Sequence, residues 1–351
     1  MKKNINKNNL DSKNHPSLFK TRLKTFYEHK RARYCLFFFI FCLIISLFAP
    51  FIANEKPLLI YKDSKLYFPI FKDYSEKEFG GDFETTPDYK DAFVQGLFKD
   101  ALVIYPLITY APDSIDWEMG KIPPSPPDSR HILGTDDQGR DVASRLLYGL
   151  RTSLLFGIFL SVFSVVIGVF VGGLQGYYGG AIDLFGQRVI EIWSSTPTLF
   201  LIIIISSFIV PTFWIILGIV LLFSWMGIVN VVRAEFLRTR NMDYVKASKI
   251  LGFSDTRIMF VHILPNALIA TITYIPFIMI SSITTLASLD FLGFGMPLGS
   301  ASLGELLQQG KNNISAPHLA LIGFLSISLI LTSLVFIGEG VREAFGKNQR
   351  L

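Results

Sequence analysis

Long apolar runs separated by polar segments organise the chain. The first, residues 34–53, lies between Arg33 and Glu55 without a charge. Five others cover about 152–178, 189–210, 213–232, 266–289 and 318–338. Each is close to the roughly 20 residues that span a ~30 Å hydrocarbon core as a helix. A helix satisfies its own backbone hydrogen bonds, which lipid cannot do. Six transmembrane helices are therefore predicted, in an all-α integral membrane chain. Pro211 and Thr212 leave only a tight turn between the third and fourth, which pair as a helical hairpin. Pro276 lies inside the fifth and predicts a kink there.

Composition agrees. Half of the 351 residues are hydrophobic, 50%, and 17% are charged; the mean hydropathy is +0.43. The basic residues give the orientation. Ten precede the first run: Lys2, Lys3, Lys7, Lys13, Lys20, Arg22, Lys24, Lys30, Arg31 and Arg33. Six follow the fourth: Arg233, Arg238, Arg240, Lys246, Lys249 and Arg257. Arg342, Lys347 and Arg350 close the chain, while the link after the fifth run carries only Lys311. Six spans place all three basic segments on one side, the cytoplasm, with both termini there. Residues 54–151 then lie outside, with 12 Lys and Arg against 17 Asp and Glu. The net charge of +5 follows from membrane orientation and does not indicate nucleic-acid binding.

The predicted division is a basic cytoplasmic tail (1–33), an anchor helix (34–53), an external insert (54–151), a five-helix core (152–338) containing a cytoplasmic loop (233–265), and a cytoplasmic tail (339–351). The first run and its basic flank are too long for a cleaved signal peptide. Residues 58–71 (LLIYKDSKLYFPIF) read as two short strands around a Lys-Asp-Ser-Lys turn. Residues 122–127 (IPPSPP) read as a stiff linker. The rest of the insert carries no readable pattern. Cys35 and Cys42 are seven residues apart on one helix, about 10 Å along its axis. They cannot pair with each other and read as packing residues.

Reactive constellations are absent. There is no HExxH, GxSxG or CxxC, and no GxxxxGK[ST] to cradle a phosphate. No catalytic residue, metal site or cofactor is assigned to this chain. The spans hold almost no ionisable residue at mid-membrane, where a proton-coupled carrier needs its relay. Glu191 is close to a span end and reads as a snorkelling or capping residue. If the chain transports anything, the energy is expected to come from a partner. Gly168, Gly172 and Gly176 form a small-xxx-small ladder for close helix packing. The fifth run is rich in hydroxyls, and Ser281, Thr285 and Ser288 share one face at i, i+4, i+7. They either line a translocation path or return hydrogen bonds to backbone.

Residues 233–265 (RAEFLRTRNMDYVKASKILGFSDTRIMFVHILP) are long for a helix connection. Gly252 splits two short helical stretches, and Ser254 is placed to cap the second with Arg257 at its third position. Tyr244, Val245, Ala247 and Ser248 suit a docking surface. Such a segment is either a mechanical coupler or a connector. It resembles the EAA loop of ABC-importer permeases (Glu-Ala-Ala, three residues, Gly, nine residues, Ile-x-Leu-Pro). Ala247, Gly252, Leu264 and Pro265 match at that spacing, while Lys246, Ser248 and His262 replace the Glu, the second Ala and the Ile.

Two further stretches are similar to C-type dipeptide/oligopeptide permeases. Residues 131–145 (HILGTDDQGRDVASR) resemble their LGTDxxGRDxxSR stretch, and residues 290–312 (DFLGFGMPLGSASLGELLQQGKN) resemble their FLGxG…P…WGxML link. The nearest likeness is to the microcin C-type peptide permease branch, on LGTDDQ, VVRAEFLRTRN, SSITTLASLDFLGFG, SLGELLQQGKNN and the insert ending in PPSPP.

The resemblance implies a type I ABC-importer permease of six spans with a periplasmic insert after helix 1, in a bacterial inner membrane. It implies a heterodimer with a second, B-type permease. Partner ATPase domains would bind ATP and Mg, a periplasmic peptide-binding protein would deliver substrate, and the substrate would be an oligopeptide or peptide-like compound. Nickel chelates, opines or glutathione are the alternative within the same architecture. Tyr244, Ala247, Ser248, Gly252, Leu264 and Pro265 would then couple to the ATPase. Gly134, Asp136, Arg140, Asp141, Gly293, Gly295 and Gly304 would belong to the docking surface for the binding protein.

Overall fold

The computed structural model describes residues 18–297 and 299–346; Lys2, Lys3, Lys7, Lys13, Lys347 and Arg350 lie outside them. Helix α1 (Leu18–Glu28) ends one residue before α2 (Lys30–Leu47), where the His29 ring accepts the Ala32 N–H at 3.2 Å. α3 (Ala49–Ile52) follows a break at Phe48, with Pro50 in its first turn. The insert opens with a hairpin, β1 (Leu59–Lys62) and β2 (Lys65–Tyr67), which turns on Asp63 and Ser64 at φ 49° and 60°. Two left-handed residues make the turn that matches strand twist. This is the hairpin expected from the Lys-Asp-Ser-Lys sequence. After α4 (Ala92–Leu97), β3 (Leu102–Ile104) pairs antiparallel with the other edge of β1, with Ile60 opposite both Tyr67 and Val103. Ile60, Phe79, Tyr89, Val94 and Phe98 form the buried centre. The insert is thus a small folded unit with a three-stranded sheet, a correction to the all-α expectation.

The remaining helices are α5 (Val142–Tyr178), α6 (Gly180–Ser194), α7 (Thr198–Phe208), α8 (Phe213–Ser224), α9 (Met226–Thr239), α10 (Asp243–Ile250), α11 (Asp255–Arg257), α12 (Leu264–Ile272), α13 (Ile275–Leu292), α14 (Leu303–Asn312) and α15 (Pro317–Gly346). A π-helical turn, Ile258–Ile263, joins α11 to α12. Among the described residues, four helical stretches are long and apolar enough to cross a membrane: Val142–Tyr178, Phe213–Thr239, Ile275–Leu292 and Pro317–Gly346. The pair α6 and α7 makes a fifth if counted as one span bent by 63°.

Several expected boundaries move. The first expected span, 34–53, does not qualify as a single helix. Lys30, Arg31 and Arg33 occupy the first turn of α2, and the break at Phe48 separates α3. α5 starts ten residues before its apolar run, because the Asp141 carboxylate caps the Ser144 N–H at 2.7 Å. The insert therefore gives up its last residues to α5. α15 runs on to Gly346, so the expected tail from 339 is helical over its described part. The third expected span breaks at Ser195–Pro197, where proline interrupts the backbone ladder. The fifth divides into α12 and α13 at Thr273 and Tyr274, two residues before Pro276, as the expected kink requires.

The glycine ladder explains how α5 packs on α9. A Cβ added at Gly168 would stand 2.5 Å from Ile228 Cβ. One at Gly172 would be 2.7 Å from the Val229 carbonyl, and one at Gly176 would be 2.5 Å from Phe236 Cβ. Real side chains do not approach so closely, so glycine is what lets these backbones meet. Cys35 and Cys42 are free and pack against the cluster of Phe39, Leu154, Ile283, Leu303 and Leu334.

Candidate functional site

Three regions hold the sequence-predicted residues. The first is the loop after α9. Gly252 ends α10 at φ 78°. Its N–H bonds the Lys249 carbonyl at 3.1 Å, and the Phe253 N–H bonds the Ser248 carbonyl at 3.2 Å. This is the Schellman closure, which favours glycine. Ser254 Oγ then accepts the Arg257 N–H at 3.4 Å, the expected cap. Val245 and Ser248 face inward, Val245 joining Ile228, Val232, Phe236, Ile258 and Ile263 in one cluster. Ser248 returns its hydroxyl to the Tyr244 carbonyl at 2.8 Å. Neither belongs to an exposed docking face, which corrects the sequence reading of both. Tyr244 and Ala247 remain exposed, Pro265 is exposed and Leu264 half-buried. The Tyr244 hydroxyl accepts from Asn266 Nδ2 at 2.9 Å, bracing α10 against α12.

Sequence reasoning missed Ile250 and Leu251, which are 87% and 74% exposed at the end of α10. Two bare apolar side chains at a helix tip suit a partner's pocket better than water. Their signal was present: they fall off the inward face that Val245 and Ser248 define.

The second region is the opposite end of the molecule, where α5 begins. Asp136 Oδ1 accepts the Gln138 and Arg140 N–H groups, each at 2.9 Å, and Oδ2 accepts Arg140 Nε at 2.7 Å. Arg140 also bonds the Gly299 carbonyl at 3.1 Å and Glu305 Oε1 at 3.3 Å. Arg145 is wholly buried. It bonds the carbonyls of Pro112 at 2.8 Å, Gly299 at 3.1 Å and Ser300 at 3.1 Å, and pairs with Glu305. Its Nε lies 3.2 Å from Asp136 Oδ2, an ion pair without hydrogen-bond alignment. Burial pushes the Glu305 carboxyl up, while Arg145 and Arg140 pull it down. Two arginines thus meet two carboxylates in a knot that joins segments more than 150 residues apart.

A second buried contact lies beside it. His131 Nδ1 is 2.8 Å from Asp141 and Nε2 is 3.1 Å from Asp116. Burial raises the Asp116 carboxyl, but hydrogen bonds from His131, the Glu118 N–H and Tyr110 outweigh it and hold the group below its usual range. Tyr110 is pushed up to about 12 by burial and by Asp116.

This geometry revises the docking residues. Gly134, Asp136, Arg140, Asp141, Gly295 and Gly304 are buried, and only Gly293 is exposed. Gly134 has φ 80°, and a Cβ there would reach the Ser125 carbonyl at 2.6 Å. A Cβ at Gly304 would meet the Ala287 carbonyl at 2.4 Å. These residues shape the loops from beneath and present no side chain to a docked protein. Gln309 Nε2 adds bonds to Asp136 at 3.3 Å and Glu305 at 3.4 Å; Arg145, Glu305 and Gln309 were missed as a set, and the Arg closing the 131–145 stretch was their one signal.

The third region is α13. Ser281, Thr284 and Ser288 are exposed and Thr285 is half-buried, on one face, while Ser282, Ile283, Leu286 and Leu289 are buried on the other. Ser282, Thr271 and Thr273 return their hydroxyls to backbone carbonyls at 2.7–2.8 Å. The backbone-bonding reading thus holds for Ser282, Thr271 and Thr273, while Ser281, Thr285 and Ser288 form an open polar stripe.

Several long apolar helices, a helix–glycine–helix loop with an apolar tip, and a pinned cap at the other end fit a membrane transport protein. The chain belongs to the family described as binding-protein-dependent transport system inner membrane component, which residues 164–350 match. It is 52% identical over 329 residues to the inner membrane ABC transporter permease protein YejE of Escherichia coli (strain K12), covering 93% of this chain and 96% of that one. It is 44% identical to the peptidoglycan transport system permease protein YejE of Agrobacterium fabrum, covering 93% and 92%. The oligopeptide transport system permease protein OppC of Lactococcus lactis (strain IL1403) is 33% identical, over 62% of this chain and 76% of that one.

Proposed function

We propose that the chain is one permease subunit of an ATP-driven importer that moves oligopeptides or peptide-like compounds across a bacterial inner membrane. The observation that carries this reading is the near full-length likeness to an ABC transporter permease together with that to an oligopeptide permease. ATP and Mg are bound by partner ATPase domains, which seat on Tyr244, Ala247, Ile250 and Leu251. A second, B-type permease covers the α6–α7 arm, where Phe185, Ile192, Phe200 and Phe208 are 65–84% exposed. The α13 stripe of Ser281, Thr285 and Ser288 faces the path between the two permeases. A periplasmic binding protein docks on the loops that the buried knot holds.

Deleting the gene is expected to abolish uptake of a labelled tripeptide, or to give resistance to a toxic peptide taken up by this route. Intact uptake of every peptide tried would remove the peptide reading. The Agrobacterium relative favours a second reading, import of peptide-bearing fragments of peptidoglycan. Labelled cell-wall peptide supplied to the same strain separates the two.

The orientation proposed has six spans, counting α2–α3 and α6–α7 as one each, with both termini and residues 233–265 cytoplasmic and the insert outside. Single cysteines at Ser64 and Thr256, in a background lacking Cys35 and Cys42, are expected to label oppositely with an impermeant thiol reagent on spheroplasts. Equal labelling overturns the orientation.

A further inference from the structure

The geometry points to α1 as a surface anchor that binds anionic phospholipid beside the first membrane helix. One side of α1 is already used. Phe26 is buried against Ala344 and Phe345, and the Arg22 guanidinium lies 5.7 Å from the Phe345 ring centre. The adjoining face presents Leu23 and Tyr27, each 41% exposed and one helical turn apart. At 100° per residue, the exposed Lys24 borders that apolar pair on the side away from Phe26. Lys30 and Arg31 follow within one turn of α2, both exposed. An apolar strip edged by lysines is the pattern of a helix lying in a membrane interface, its aliphatic stems in the apolar layer and its ammonium groups at the phosphates.

Continuity with the lipid-facing surface commits the occupant. Tyr34, Phe37, Phe41, Ile44 and Phe48 of α2 and its C-terminal boundary are 50–64% exposed at steps of three or four residues, one apolar stripe. Only His29 separates α1 from that helix. Arg33 joins the two segments: its guanidinium bonds the Tyr27 carbonyl at 3.3 Å and stacks 5.2 Å from the Tyr34 ring centre. A guanidinium stacked on a tyrosine, at the end of an apolar stripe, is where headgroups lie. The positive border makes anionic headgroups the preferred ones, with each lysine near the surface enriching them roughly fivefold.

The full chain, with Cys35→Ala and Cys42→Ala, carries a Leu23→Cys label of an environment-sensitive fluorophore in vesicles of mixed phosphatidylglycerol and phosphatidylcholine. A spin-labelled headgroup quencher is supplied on one lipid or the other. Quenching by phosphatidylglycerol is expected to exceed that by phosphatidylcholine by at least about fivefold, the effect of one lysine. Lys24→Gln, Lys30→Gln and Arg31→Gln together should lower that ratio at least about fivefold, with the emission still blue-shifted. Equal quenching in the parent, or an unchanged ratio in the triple variant, overturns the lipid preference. A red-shifted label quenched by iodide from water overturns the anchor itself and indicates that α1 is covered by a protein or by nothing. Because the chain is tested alone and without transport, neither result depends on what the importer carries.

Discussion

Arg145→Met is expected to destabilise the chain by about 3–5 kcal/mol, the effect of removing one partner from a buried ion pair. Arg145 is fully buried and reaches Glu305, Asp136 and the carbonyls of Pro112, Gly299 and Ser300. Methionine occupies the site but leaves Glu305 with half its compensation, the Pro112 and Ser300 carbonyls without a donor, and Gly299 with Arg140 alone. The loops at 112, 136 and 299–305 should loosen together. In purified detergent-solubilised protein this should appear as a fall in thermal midpoint of about 4–7 °C. Adding Glu305→Gln to Arg145→Met should recover part of the loss, because the stranded charge is then gone. Arg188→Met is the contrasting change. Its ion pair with Glu191 is more than half exposed on both sides, and such pairs contribute about 1 kcal/mol or less. A midpoint for Arg145→Met within the range of Arg188→Met would show that the knot does not hold this end together.

Gly252→Val is expected to reduce substrate-stimulated ATP hydrolysis and uptake by about tenfold or more, the equivalent of roughly 1.4 kcal/mol. The protein should still reach the membrane in normal amount. Gly252 has φ 78° and nothing within 4 Å of its missing Cβ. A Cβ there meets no described atom, and the cost lies in the backbone, about 1 kcal/mol or more for a β-branched residue. Relaxing that strain would undo the closure at Lys249 and Ser248 and swing Ile250 and Leu251 away from their present direction. Asn tolerates the left-handed region better than Ala or Val, so activity should fall in the order Asn, Ala, Val. Membrane level by blot and uptake in reconstituted vesicles with the partner subunits are the measurements. Full uptake by Gly252→Val at normal level would reduce the loop to a connector.

Legibility in the sequence followed the range of the forces involved. Local chemistry was readable: the hairpin at Asp63 and Ser64, the Ser254 cap, the kink near Pro276, the left-handed Gly252 and the glycine ladder are each fixed within a few residues. The third strand was not, because β3 pairs with β1 across some 40 residues that include β2 and α4. The knot was half visible. Its residues lie in two motif stretches read as one surface, but only the fold shows that Asp136, Arg140 and Arg145 close on Glu305 and turn away from solvent. Burial also reversed Ser248, whose small size suited either side of α10. The six-span count stays with sequence and family reasoning, since the basic turn of α2 and the bend at Pro197 interrupt two of the runs.

α5 is one unbroken helix of 37 residues, from the knot at Arg145 to the far end, where Arg240 bonds the Gly176 and Tyr177 carbonyls at 3.1 and 3.0 Å. Tyr177 also donates to Asp255 at 2.5 Å. At 1.5 Å per residue it is about 55 Å long, and the glycine contacts with α9 leave it little room to bend. Such a rod behaves as a lever arm. A tilt of about 5° imposed near Gly252 displaces the Arg145 end by about 5 Å over that length, more than the span of any hydrogen bond in the knot. Small rotations at one face are thereby converted into opening distances at the other without any helix having to unwind.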